Sequence, residues 1–327
     1  MKIIVALDSF KGSLTARRAC SIVAEAIGSV MPEAELLIRP MADGGEGTAE
    51  ALMAAVGGQW VARRVTGPLP GMRVEAGFLW LGDSRTAIVE MASAGGLQLL
   101  RGDQLNPLRT TTIGTGELIR AAIEHGARRV LLGVGGSATV DGGVGAATAL
   151  GWRFLDRDGR DIGAGGSDLA AIDRIVQPDD AMAAEVEVLC DVDNPLCGRQ
   201  GAARVYGPQK GATPAMVEVL EASLSHLADM VEAQLGRSIA KLPGAGAAGG
   251  LAAGAVAFMN ARLVSGIETI MALSRLPEAM ADADWVVTGE GCFDEQSLRG
   301  KVVAGVAAAA RRTNTTVSYT HLTLPTN

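Results

Sequence analysis

Leu131-Leu132-Gly133-Val134-Gly135-Gly136-Ser137-Ala138-Thr139-Val140-Asp141-Gly142-Gly143 is the stretch on which the reading of this chain turns. An apolar run from Val130 to Leu132 gives way to glycines, two hydroxyl residues, one carboxylate and more glycines. The run predicts a buried strand, and the small residues predict a tight turn entering a helix. Glycines there let backbone N–H groups approach an oxyanion, and a helix N-terminus favours negative charge. Four other passages share this texture: Val5-Ala6-Leu7-Asp8-Ser9, Ile38-Arg39-Pro40-Met41-Ala42-Asp43-Gly44-Gly45-Glu46-Gly47, Val188-Leu189-Cys190-Asp191-Val192-Asp193-Asn194 and Val286-Val287-Thr288-Gly289-Glu290-Gly291. Five predicted strands therefore end in acids beside glycine or hydroxyl groups. Open α/β sheets bind ligands outside the carboxyl ends of their strands, so the pattern predicts one composite site.

Outward from this stretch the chain alternates strand and helix. Residues 2–7 predict a strand, and Ser13 or Thr15 can cap a helix running to about residue 27. A strand over 34–38 and a helix to about residue 56, stopped by Gly57-Gly58, complete a β-α-β-α run that implies a parallel sheet. From Trp60 the texture changes: 60–66, 73–81 and 86–91 read as successive strands separated by Gly-Pro and Gly-Asp turns. A helix over 115–125, the strand over 129–132 and a helix over 145–151 follow, then a polar loop over 156–166 and a strand over 186–190. Residues 214–235 predict the longest helix, opened by Pro214 and closed by Gly236. The Ala/Gly tract 243–254 is too apolar for a linker and predicts a tight loop entering a helix to about Asn260. Helices over 267–281 and 302–312 flank a last strand over 285–288. Residues 313–327 hold six threonines and no Asp, Glu, Lys or Arg, and 317–327 read as a non-native tail. The chain is expected to be truncated within a strand following the 302–312 helix.

Composition narrows the function. Hydrophobic residues make up 48% of the 327 but aromatics only 3%, so the core must be built from Ala, Val, Leu and Ile. A net charge of −7 argues against a nucleic-acid or anionic-membrane surface, and no apolar run approaches the ~20 residues of a spanning helix. Without a leader, and with four cysteines that form no C-x-x-C pair, the expectation is a cytoplasmic protein with reduced thiols.

Three chemistries compete for the strand ends. Gly133-Val134-Gly135-Gly136-Ser137-Ala138 fits G-x-G-x-x-G/A, with Asp156 and Asp158 roughly 20 residues on, which suggests a nicotinamide-dependent oxidoreductase. Against that stands Asp141, an acid in a turn where a pyrophosphate would sit. A phosphoryl-transfer site fits the acids better, because carboxylates hold Mg²⁺, backbone amides hold phosphates and lysines neutralise charge. Asp8, Asp43, Glu46, Asp141, Asp191, Asp193, Glu290 and Asp294 are the candidate acids, with Lys11, Lys210 and Lys301 as cations. Taken singly, each acid is better explained as a turn or helix cap. The third reading is a non-catalytic small-ligand binding protein. No G-x-x-x-x-G-K-[ST] and no G-x-S-x-G occurs, and His125 and His226 read as a helix-end residue and a solvated one.

Asp8-Ser9-Phe10-Lys11-Gly12-Ser13-Leu14, Met41-Ala42-Asp43-Gly44-Gly45-Glu46-Gly47-Thr48, the 133–143 stretch and Gly289-Glu290-Gly291 through Gly300-Lys301-Val302 occur in that order. As an ordered set they closely resemble the glycerate kinase type-2 family, the bacterial glycerate 2-kinases, from residue 1 to about residue 316. The resemblance implies ATP-dependent phosphorylation of D-glycerate, commonly to 2-phosphoglycerate, with Mg²⁺. It also implies an α/β fold of two domains. A flavodoxin-like parallel-sheet domain would be formed by 1–62 and 284–316, and a restriction-enzyme-like α/β domain, 63–283, would be inserted between them. The family continues beyond this C-terminus, and Cys292 stands where many relatives carry a basic residue.

On that reading the residues take these roles. Mg²⁺ is held by some of Asp8, Asp191 and Glu290, and Lys11 neutralises transition-state charge. Asp191 orients or deprotonates the attacking hydroxyl. Ser9, Asp43, Gly44, Gly45, Glu46, Gly135, Gly136, Ser137, Thr139, Asp141, Asn194 and Lys301 contact substrate or phosphate. The expected partner is the small molecule D-glycerate, with no nucleic acid and no membrane, and a homodimer is left open.

Overall fold

The computed structural model describes residues 1–10, 12–180, 182–291 and 302–321. The chain divides into two compact units, Met1–Gly58 with Ser265–Asn327, and Gln59–Val264.

The first unit is a parallel sheet of four strands, in the spatial order Thr316–His321, Trp285–Glu290, Lys2–Leu7, Glu35–Ile38. Numbered along the unit's own chain the order is 2-1-3-4, the leading part of the flavodoxin-like order 2-1-3-4-5. Buried on both faces, the first strand is apolar at every position from Ile3 to Leu7. Its even and odd residues serve different cores. Ile4 and Ala6 join Ile267, Met271, Leu276, Met280, Val286, Val302 and Val306, whereas Val5 and Leu7 join Phe10, Ala19, Cys20 and Ala24. Thr15 caps the Ala16–Val30 helix by accepting the Arg18 N–H, and Gly57 ends the Thr48–Val56 helix in a left-handed conformation.

Two features of this unit differ from the sequence expectation. The predicted 267–281 helix is broken into Gly266–Leu273 and Leu276–Ala281, because Arg275 adopts a positive φ of 53° and Pro277 sits in the new first turn. Both helices pack on the first unit through Ile267, Met271, Leu276 and Met280, so the division falls at Val264/Ser265 rather than at 283/284. Residues 317–321, set apart on composition, lie in the Thr316–His321 strand with Val317 opposite Val286.

The second unit is a six-stranded mixed sheet. Arg262–Val264, Glu185–Leu189, Arg129–Gly133 and Thr86–Glu90 run parallel, and Arg73–Leu81 and Gln59–Thr66 continue as an antiparallel meander. Val130 and Leu132 pack with Leu118, Ile119, Leu251 and Ala255 from the Ile113–Glu124 and Leu251–Met259 helices. The Pro214–Leu235 helix turns Val217, Leu220, Leu224, Leu227 and Val231 into a second core. That core is closed by the Arg153–Leu155/Arg174–Val176 hairpin, whose strands are too short to have been read from pattern.

The Ala/Gly tract has a packing reason. A Cβ at Gly249 would lie 2.0 Å from the Thr139 carbonyl oxygen, and one at Gly254 would lie 2.4 Å from that of Gly142. The tract therefore lies backbone against backbone on residues 139–143, and the Gly142 N–H donates to the Gly249 carbonyl at 3.1 Å.

Candidate active site: strand-end acids and a donor-rich turn

In the first unit the register places Leu7 opposite Gly289, so Asp8 and Glu290 emerge from the carboxyl ends of adjacent parallel strands. This is where the strand order reverses, the position at which such sheets form their ligand crevice. The Asp8 N–H donates to the Gly289 carbonyl at 2.9 Å, and Asp8 Oδ1 accepts the Ser9 N–H at 2.6 Å. Both acids are buried, Asp8 at 8% exposure and Glu290 at 4%. The next strand end is tied to the same edge by the Met41 N–H donating to the Leu7 carbonyl. Beyond it Gly44 and Gly47 take left-handed conformations, Asp43 Oδ1 accepts the Gly45 N–H at 3.0 Å, and Glu46 is exposed. Asp8, Ser9, Asp43, Gly44, Gly45, Glu46 and Glu290 are thus brought to one edge of one sheet. Two buried carboxylates at neighbouring strand ends suit Mg²⁺, which takes one or two carboxylates and fills its shell with phosphate oxygens and water. Among the described residues no group of three or more His, Cys, Asp or Glu is gathered for a metal.

In the second unit the turn after Arg129–Gly133 is the 133–139 stretch. Leu97 N–H donates to the Gly136 carbonyl and Ala138 N–H to that of Gly95, both at 2.9 Å, which turns the intervening Ser137 N–H away from that pairing. Gly136 is exposed at positive φ, 73°. Among the described residues the N–H groups of Gly135, Gly136 and Ser137 donate to no protein acceptor. Thr139 is wholly buried, and its hydroxyl has no partner among the described residues.

Asp141 faces inward. Its Oδ2 accepts from the Thr112 N–H at 2.7 Å, the Thr112 hydroxyl at 2.8 Å and the Gly145 N–H at 3.3 Å, and its Oδ1 accepts from the Gly143 N–H at 3.1 Å. One carboxylate thereby caps the starts of both Ile113–Glu124 and Val144–Ala149, where helix dipoles favour negative charge. Burial pushes its carboxyl up, against the Thr112, Gly143 and Gly145 donors that pull it down. The acid that a dinucleotide turn could not tolerate is here an internal cap. Thr110 adds a second tie, its hydroxyl donating to the Ala138 carbonyl at 2.9 Å. Sequence reasoning passed over this Thr110-Thr111-Thr112 run; three hydroxyls immediately before a helix were the available signal.

Lys210, named in the sequence only as one cation among several, lies 1% exposed beneath the turn. Its Nζ donates to Ser137 Oγ and to the Thr139 carbonyl, both at 2.7 Å. Burial pushes its ammonium down to about 7, with the Asp141 charge opposing.

Asp191 and Asn194 follow Glu185–Leu189, the parallel neighbour of the central strand, with Leu189 opposite Gly133. Asp191 is half-buried. Asn194 is committed inside the protein: its Oδ1 accepts the Tyr206 hydroxyl at 2.7 Å, and its Nδ2 donates to the Gln200 carbonyl at 2.9 Å. Gly135, Gly136, Ser137, Thr139, Asp141, Asp191 and Asn194 therefore share the second unit, while Lys11, Asp294 and Lys301 lie outside the described residues. His125 packs edge-on against Phe78 and Trp80, and His226, rather than being solvated, is half-buried with Nε2 2.7 Å from the Ile172 carbonyl. Asp156 caps its own tight turn, accepting the N–H groups of Asp158 and Arg160.

A glycine-rich turn that offers amides to an oxyanion in one unit, and buried acids at a switch point that suit a metal in the other, are the equipment of a class: the α/β kinases. Known proteins bear this out. The model of the glycerate kinase family matches residues 3–321. The glycerate kinase of Bacillus subtilis (strain 168) is 49% identical over 314 residues, 95% of this chain and 82% of the relative. The glycerate 2-kinase of Escherichia coli (strain K12) is 44% identical over 315 residues, with the same 95% and 82% coverage. A crystal structure from Salmonella typhimurium LT2, provisionally named glycerate kinase 2, superimposes with a TM-score of 0.89 at 44% identity, covering 98% of this chain and 86% of that one. The chain belongs to the glycerate kinase family.

Proposed function

We propose that this chain transfers the γ-phosphoryl group of ATP to the 2-hydroxyl of D-glycerate, giving 2-phosphoglycerate and ADP. The observation that carries the reading is the turn over 133–139, whose Gly135, Gly136 and Ser137 amides meet no acceptor among the described residues at the end of a buried parallel strand. Such a set of donors with no acceptor is selective for an oxyanion, here a carboxylate or a phosphate. The names of the relatives point to the same substrate.

Asp8 and Glu290 are the residues that would hold Mg²⁺, which when bound neutralises phosphate oxygens during transfer. The Asp43-Gly44-Gly45-Glu46 loop lies at the same sheet edge and contributes phosphate contacts. Asp191 orients the attacking hydroxyl and accepts its proton. Lys11 and Lys301 neutralise negative charge on the transferring group. Asp141 contributes by fixing the two helix starts behind the turn, and Asn194 by shaping the loop after Asp191. Positioning and charge neutralisation supply most of the rate in this chemistry.

The test is incubation of the purified chain with D-glycerate and Mg-ATP, following ADP release and identifying the product by NMR. Formation of 2-phosphoglycerate is the expected result. The 3-phosphorylated isomer would keep the kinase and move the acceptor hydroxyl, whereas absence of both products with no ADP formed would refute the reading. Nicotinamide-dinucleotide binding is expected to be undetectable in the same preparation, because Asp141 is fixed as an internal helix cap and Asp156 closes a hairpin turn.

A further inference from the structure

The buried lysine under the donor-rich turn has no part in the roles assigned above, and its surroundings are specific. An ammonium only donates. Ser137 Oγ and the Thr139 carbonyl must therefore both accept from Lys210 Nζ, which leaves the Ser137 hydroxyl hydrogen directed away from it. Among the described residues that hydrogen meets no protein acceptor, and neither do the amides of Gly135, Gly136 and Ser137. Two of the ammonium's three hydrogens are used by the turn, and the third has no acceptor among the described residues. The charged group that faces it is Asp141, which is held by Thr112, Gly143 and Gly145 and does not reach it directly. Burying a lysine completely is costly unless its charge does something there. A methionine or leucine would fill the volume and leave the turn free to choose its own hydroxyl rotamer.

We propose that Lys210 is the positioning residue of this turn: by donating to Ser137 Oγ and the Thr139 carbonyl, it fixes the Ser137 hydroxyl as a donor beside the Gly135–Ser137 amides and so tunes the turn for an oxyanion. The inference rests on the reading of 133–139 as an oxyanion site. The oxyanion is either the carboxylate of the hydroxy acid or a phosphate of the nucleotide, and separate titrations tell the two apart. Burial of the ammonium lowers its proton affinity, so the tuning is strongest on the acid side of neutrality and fades as pH rises above about 7.

Calorimetric Kd values would be measured for D-glycerate and for Mg-ATP with the wild-type chain, Lys210→Met, Ser137→Ala and the double variant. Each single change is expected to weaken one ligand, the same one in both, by about tenfold or more, and to leave the other within about twofold. Because Lys210 acts through Ser137, the double variant should be no more than about threefold weaker than the worse single. Wild-type affinity for that ligand should also weaken between pH 6 and 8.5, and Ser137→Ala should flatten this dependence. Should Lys210→Met not fold, Ser137→Ala and its pH profile decide alone. Lys210→Met binding both ligands as the wild type does, effects that multiply in the double variant, or a pH profile unchanged by Ser137→Ala would each overturn the assignment. A wild-type chain that binds neither ligand would instead remove the oxyanion reading on which it stands.

Discussion

The two units use the same device and load it with opposite charge. In the first, the ends of adjacent parallel strands carry two buried carboxylates, Asp8 and Glu290. In the second, the end of a parallel strand carries three amides that meet no acceptor among the described residues, over a buried ammonium, with the acid of the same turn, Asp141, facing inward to cap helices. A strand end is therefore only a place. Whether it receives a cation or an anion is decided by which way the neighbouring carboxylate faces.

Asp8→Asn tests the difference most severely. It removes one of two charges at the cation-selecting end, and kcat/KM for D-glycerate is expected to fall about 10³-fold with the fold retained. Measured without Mg²⁺, the Kd of the ligand held by the second unit's turn should stay within about twofold, and parallel losses in both would break the comparison.

Gly249→Ala acts on the other side. Its Cβ would overlap the Thr139 carbonyl, and its φ of 65° disfavours any side chain, so urea denaturation should show a loss of about 3 kcal/mol or more. Thr112→Val removes the hydroxyl that links Asp141 Oδ2 to the Ala146 N–H, 2.9 Å away. About 2 kcal/mol is expected from the same measurement, since the partners left behind are buried.

Proton linkage sharpens the comparison further. Lys210 holds its proton less tightly folded, at about 7, than at its ordinary 10.5, so between these values the unfolded chain binds more protons. Folding stability contributed by this group therefore rises with pH across that window. Thermal melts from pH 7 to 9.5 should show a positive slope that Lys210→Met lacks, while oxyanion affinity runs the opposite way. The smallest effect belongs to neither strand-end cluster. Glu187 is clasped by Arg129 and Arg262, both partly exposed, and Glu187→Gln should cost about 1 kcal/mol, less in high salt.

Much of the fold was legible because Lys2–Leu7 and Arg129–Gly133 are apolar on both faces and give way abruptly to short polar or glycine-rich turns. All five predicted strand ends are strand ends, and the Pro214–Leu235 helix runs between the proline and glycine that announced it. What was not legible depends on contacts distant in sequence. Arg262–Val264 is a strand only because Glu185–Leu189 lies beside it, and the 267–281 segment breaks where Arg275 turns left-handed. The site residues were found as types, not as roles. The Gly143 and Gly145 amides that Asp141 caps are local, but the tie that holds it inward, to Thr112, spans 29 positions. Lys210 reaches Ser137 across 73 positions.

The first unit is assembled from both ends of the sequence, and this sets a timetable for synthesis. Ala6 and Thr288, hydrogen-bonded neighbours in the finished sheet, are 282 positions apart. At roughly 5–20 residues per second the ribosome needs about 14 to 56 seconds to join them. During that interval the Gln59–Val264 unit, continuous in sequence, can complete its sheet, while Ile3, Ile4, Val5 and Leu7 have Glu35–Ile38 on one side and wait for Trp285–Glu290 on the other. The apolar Lys2–Leu7 strand is thus a sticky segment of the nascent chain, and Asp8 and Glu290 can come together only after the Gln59–Val264 unit has been made.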